Sequence, residues 1–145
     1  MLKVKALLFD VFGTVVDWRT GIAKEVESIA IKNDIFLDPF DFADAWRAEY
    51  QPAMEEIRKG RRSFTILDIL HMENLKKIAS KFNLHNLTNE DFNMLVRAWH
   101  RLPGWPDSSD GLNALKKKYI LATQSNGNIA LIVNMAKFSN LNWDV

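Results

Sequence analysis

The chain contains no cysteine in 145 residues, which excludes disulfides, thiolate nucleophiles and thiolate metal sites. That absence fits a reducing compartment, and the cytoplasm is the expected location. Neither sign of charge is in surplus: 19 Lys and Arg face 18 Asp and Glu, a formal net charge of +1. Bulk electrostatics therefore give no reason to expect a nucleic-acid or membrane partner. No apolar run approaches the ~20 residues of a membrane span. The apolar part of Met1-Leu2-Lys3-Val4-Lys5 is too short for the core of a signal peptide. His71, His85 and His100 lack metal-ligand spacing with acidic partners, so they are read as structural or surface residues and no metal site is expected. There is no glycine-rich nucleotide loop, internal repeat or low-complexity segment.

What is present is the composition of an ordinary globular protein, 48% hydrophobic and 26% charged, with room for one domain or a small core plus an insertion. Val4 to Phe9 is almost continuously apolar, as a parallel strand covered on both faces requires. Helical periodicity follows. Ile22, Val26, Ile29 and Ala30 share a stripe between Thr20 and Asn33. Asp38 as cap and Pro39 at the first position open a helix carrying Ala43, Trp46, Tyr50, Met54 and Ile57, which stops near Gly60. A third helix is predicted from Phe64 to Phe82. A fourth follows a Thr88/Asp91 capping box and ends at Pro103-Gly104-Trp105-Pro106. The α/β pattern then returns, with a helix over 109–117, a strand over 119–123 and a helix over 127–138. Asn142 to Val145 reads as the entry to another strand.

A helical block inserted after the first strand of an α/β core is the arrangement of a cap that excludes water. The predicted division is core over 1–17, helical cap over 18–103 and core again over 104–145. Two strand ends carry polar groups. The first, Leu8-Phe9-Asp10-Val11-Phe12-Gly13-Thr14-Val15-Val16, ends an apolar strand in a carboxylate, a Gly turn and a hydroxyl. The second, Ile120 to Gly127, ends in Ser125, Asn126 and Gly127. Open α/β sheets build active sites at such ends. Asp10 there is either a nucleophile held out of bulk water or a cap on its own turn.

These residues carry a resemblance. The stretch FDVFGTVVDW, followed by a helical block and then ATQSNG, resembles the haloacid dehalogenase superfamily, and within it the type II 2-haloacid dehalogenases. Phe42 to Met54 resembles the first long cap helix of that group, and Trp99 to Asp107 its return from cap to core. The resemblance implies a Rossmann-like parallel core with a helical cap, no cofactor, and hydrolysis of short 2-haloalkanoic acids to 2-hydroxy acids. Asp10 would attack C2, expel halide and form an aspartyl ester that water then cleaves, with inversion at C2. Thr14 would orient Asp10, or be an ordinary turn hydroxyl. Ser125 would bond the substrate carboxylate or Asp10, and Asn126 the departing halide, or both would only cap the following helix. Arg47 would receive the halide from the cap side, the alternative being a solvated helix arginine. Trp46 would wall the pocket or lie in the core.

Phe12 separates reaction classes. Phosphatases of the superfamily place a second Asp two positions after the nucleophile, where it protonates the leaving group at a magnesium site. A phenyl ring can do neither, whereas halide leaves without a proton. Phe12 would pack against the substrate chain or be a plain core aromatic. Complete family members also carry a Lys after the next strand and a further acidic motif, and neither occurs up to Val145. Two other readings therefore stand beside the dehalogenase: a magnesium-dependent phosphatase, and a truncated non-catalytic fragment or interaction module. Members often dimerise, so a homodimer is an expected assembly. With only two core strands, such a chain is expected to leave apolar faces uncovered and to self-associate.

Overall fold

The computed structural model describes residues 3–145, which divide into two compact units. One comprises the chain up to Trp18 together with His100–Val145; the other is Arg19–Trp99.

The first unit is built on two parallel strands, β1 (Ala6–Phe9) and β2 (Ile120–Thr123), in register from Ala6 opposite Ile120 to Phe9 opposite Thr123. The ladder continues at both ends: Ile120 N–H donates to Lys5 O and Gln124 N–H to Phe9 O. Leu121 is fully buried, and Val11, Val15, Val16, Leu102, Leu112, Leu131, Met135 and Leu141 are buried in the same unit. The opposite face of the sheet is open, with Leu8 62% and Ile120 53% exposed. The expectation of a first strand buried on both faces is therefore corrected. Among the described residues β1 pairs only with β2, so half of its apolar pattern has nothing to bury against.

Two helices belong to this unit, over Ser108–Lys116 and Ile129–Phe138. The second starts two residues later than the spacing predicts. Gly127 lies in the loop before it, where an added Cβ would sit 2.8 Å from Ile132 Cδ1. Asn142–Val145 forms no strand, yet it runs beside β2. Asp144 N–H and Val145 N–H donate to Leu121 O (2.8 and 3.2 Å), and Thr123 N–H donates to Val145 O (2.9 Å). Asp144 also accepts from Leu121 N–H and pairs with Lys116 Nζ at 2.8 Å. Lys116 and the Leu121 N–H both hold the Asp144 carboxyl below the usual carboxylate range.

The second unit is helical. Among the described residues the α-helices, in chain order, are α1 (Trp18–Lys32), α2 (Pro39–Ala48), α3 (Tyr50–Arg58), α4 (Leu67–Ile78), α5 (Asn89–Ala98), α6 (Ser108–Lys116) and α7 (Ile129–Phe138). Asp38 caps α2 by accepting from Phe40 N–H and Asp41 N–H, with Pro39 at the first helical position. The single helix expected from Pro39 to Gly60 is two, broken at Glu49. Pro52 is the physical reason: it lacks the N–H that would bond Ala48 O, and its ring crowds that carbonyl. The capping box at α5 is present, with Asp91 N–H donating to Thr88 Oγ1 and Thr88 N–H to Asp91 Oδ2. Asp91 is buried and is reached by Lys32 Nζ at 3.0 Å. Hydrogen bonds from the Thr88 hydroxyl, Lys32 and the Thr88 amide lower its pKa to about 2.

Candidate active site

The carboxyl ends of β1 and β2 lie side by side. Phe9 pairs with Thr123, so the next residues, Asp10 on one strand and Gln124-Ser125-Asn126 on the other, leave the sheet at the same edge. This is where an open parallel sheet presents groups to a ligand.

Asp10 is exposed, and its Oδ2 accepts a hydrogen bond from Thr14 Oγ1 at 2.7 Å. One carboxylate oxygen is thus held. The turn that makes this contact possible requires Gly13, whose φ of +93° lies in the left-handed region. Around it the backbone closes on itself: Val15 N–H and Val16 N–H both donate to Val11 O, and Gly13 N–H donates to Val16 O. Val11, Val15 and Val16 point inward and bury fully or nearly so, while Gly13 and Thr14 face solvent. Phe12 is half-buried and its backbone bridges to Val16.

Ser125 is half-buried and its Oγ accepts from Gly127 N–H at 3.2 Å, a local turn bond. Asn126 is exposed. Neither residue lies in the first turn of α7, whose N-cap is Asn128; their segment is the strand-to-helix loop.

Arg47 belongs to the helical unit. It lies in the last turn of α2, and its guanidinium stacks 4.3 Å from the Tyr50 ring centre across the break made by Pro52. Trp46, for which the sequence left a pocket wall and a core position both open, is a buried core residue. It is 1% exposed, its indole N–H donates to His71 O at 3.0 Å, and it packs edge-on against Phe42 and Trp99. Helical spacing places a tryptophan on an inner face but does not say whether that face meets a pocket or the core. His71 is buried and stacked on Trp99 at 4.3 Å, a structural histidine as the spacing suggested. Among the described residues no group of three or more His, Asp or Glu is gathered to hold a metal ion.

Sequence reasoning missed the residues that brace the Asp10 turn. Trp105, read from the sequence as part of a helix stop and of the return from cap to core, donates its indole N–H to Gly13 O (3.1 Å) and its backbone N–H to Val15 O (3.1 Å). Ser108 Oγ donates to Val15 O at 2.7 Å. Asp17 N–H donates to Pro103 O. The partners are backbone carbonyls, so no pattern of side-chain types signals them.

No protein-family model and no curated protein sequence matches the chain. Solved structures do. The defluorinating L-2-haloacid dehalogenase Rha0230 is 48% identical, with a TM-score of 0.95 over 99% of this chain and 59% of its own. The L-2-haloacid dehalogenase PA0810 is 39% identical, with a TM-score of 0.92 over 98% of this chain and 60% of its own. The L-2-haloacid dehalogenase from Xanthobacter autotrophicus, 20% identical with a TM-score of 0.80, shares the fold. The chain thus spans about three-fifths of the length of the first two.

Proposed function

The chain is a member of the haloacid dehalogenase superfamily, similar over its whole length to L-2-haloacid dehalogenases, and from that premise we propose that it carries the nucleophile of a hydrolytic 2-haloacid dehalogenase. The observation that supports this most directly is the Asp10 carboxylate held through one oxygen by Thr14, with Phe12 at the second position beyond it.

An Asp10 oxygen attacks C2 of a short 2-haloalkanoate from the side opposite the halogen. A C–O bond forms, the C–X bond breaks, and halide leaves with the electron pair. Water then adds to the Asp10 ester carbonyl. The acyl C–O bond breaks, releasing the 2-hydroxy acid with inverted C2 and regenerating the carboxylate. Thr14 fixes the nucleophile. Ser125 and Asn126 take the substrate carboxylate and the halide. The resemblance, and no geometry between the two units, would give Arg47 the negative charge growing on the halogen and Arg19–Trp99 the part of a cap. Trp46 has a supporting part, holding α2 through its buried indole. Phe12 supports displacement of halide over phosphoryl transfer, because a phenyl ring cannot protonate an alkoxide.

The test is intact mass spectrometry after incubation with racemic 2-chloropropionate, with Asp10→Asn alongside. The expected result is an adduct equal to the acid less HCl, mapped to Asp10 and missing from the variant. No adduct and no halide release from the wild-type chain would refute the proposal.

A further inference from the structure

We infer that Trp105 and Ser108 are positioning residues for the Asp10 nucleophile, acting through the turn that carries Thr14; the inference rests on the dehalogenase reading above. Thr14 sits between two carbonyls, Gly13 O and Val15 O. Both are held from one short segment. The Trp105 indole N–H takes the first at 3.1 Å; Ser108 Oγ and the Trp105 backbone N–H share the second at 2.7 and 3.1 Å. Fixing those two carbonyls fixes the peptide plane that enters Thr14 and the one that leaves Val15, and so restrains the stretch whose hydroxyl holds Asp10 Oδ2.

Packing does not do this alone. An open cleft of about 170 Å³ lined by Phe9, Thr14, Val15, Ser108 and Leu112 lies against the turn, so that side lacks close-packed neighbours. Gly13 and Thr14 are exposed, and Trp105 itself is 40% exposed, more than a tryptophan kept only for burial. The bracing segment is itself anchored. Ser139 Oγ, just past α7, donates to Leu102 O at 2.6 Å and accepts from Gly104 N–H at 3.0 Å. Hydrogen bonds, joined by short covalent stretches of backbone, therefore run from the end of α7 through Gly104, Trp105 and Ser108 to the turn that carries Thr14 and Asp10. A nucleophile misplaced by an ångström loses much of its rate advantage while substrate binding elsewhere is unchanged, so the signature is a rate effect.

The experiment uses Trp105→Phe, Ser108→Ala and Ser108→Thr in the full chain. It follows ester formation at Asp10 by quenched intact mass spectrometry over a range of 2-chloropropionate concentrations. The expected outcome is a fivefold or greater loss of maximal alkylation rate in Trp105→Phe and Ser108→Ala. Half-saturation should stay within twofold, and Ser108→Thr should recover most of the loss. A smaller loss, a loss carried by half-saturation, or no recovery by threonine overturns the inference. Absence of any ester in the wild-type chain sinks the dehalogenase reading instead. The amide exchange rates of Gly13, Val15 and Val16 then decide: at least fivefold faster exchange in both deletion variants supports the bracing, and unchanged exchange overturns it. Melting curves on each variant exclude general unfolding, and either position alone suffices if the other does not fold.

Discussion

Replacing Thr14 by valine keeps the shape of the side chain and removes only the hydroxyl that holds Asp10 Oδ2 at 2.7 Å. That bond fixes the carboxylate rotamer, so losing it lets the attacking oxygen wander. Asp10 and Thr14 both face solvent, so water can take the place of the lost bond. Water does not replace the orientation. Freeing one short side chain is worth about 0.5 to 1 kcal/mol, which is roughly a two- to fivefold slower attack. Thr14→Ser keeps the hydroxyl and should retain most of the wild-type rate. The assay is the single-turnover rate of ester formation at saturating 2-chloropropionate. A Thr14→Val chain that alkylates as fast as wild type, or faster, would refute the orientation argument and leave Thr14 a turn hydroxyl.

Two further outcomes test the frame around the site. The Asp91 carboxyl, lowered to about 2, contributes stability that is fully present above its unfolded value near ~3.9 and is lost as pH falls through the folded one. The melting-temperature advantage of wild type over Asp91→Asn should therefore shrink between about pH 4 and pH 2; a constant difference across that window would remove Asp91 from the account. Gly13→Ala should destabilise the chain by about 1 to 2 kcal/mol in urea unfolding. The cost is strain at φ +93°, because the added Cβ meets Trp18 Nε1 only at an ordinary 3.5 Å. A loss well below 1 kcal/mol would mean that the turn relaxes to negative φ.

Much of the architecture was legible in the sequence because it is written in local chemistry. Asp38 with Pro39, and Thr88 with Asp91, announce helix starts through groups that bond their own neighbours. The two strand-end motifs are visible for the same reason, since a strand, a turn glycine and a hydroxyl lie within a few residues. What was misread depends on distant partners or on a competing rule. Pro52 outweighed an otherwise continuous apolar stripe and split α2 from α3. Trp46 has the periodicity of a pocket wall and of a core residue alike, and only Phe42, His71 and Trp99 around it decide. Apolar strand residues say that a face can be buried, not that a neighbour exists to bury it, and Leu8 shows the difference. Trp105 and Ser108 reach backbone carbonyls more than ninety positions away, which no spacing rule anticipates.

The pairing of β1 with β2 also fixes an order in time. Ala6 and Ile120 are more than a hundred residues apart, yet their strands are only four residues each. Closing so long a loop costs conformational entropy before eight strand residues return anything. The helices between them form from near neighbours and need no such closure, so they are free to fold early. Once Arg19–Trp99 has collapsed, the loop that remains to be closed is effectively short. The two strand ends that bear Asp10 and Ser125 are therefore expected to meet late, after the helices between them have formed.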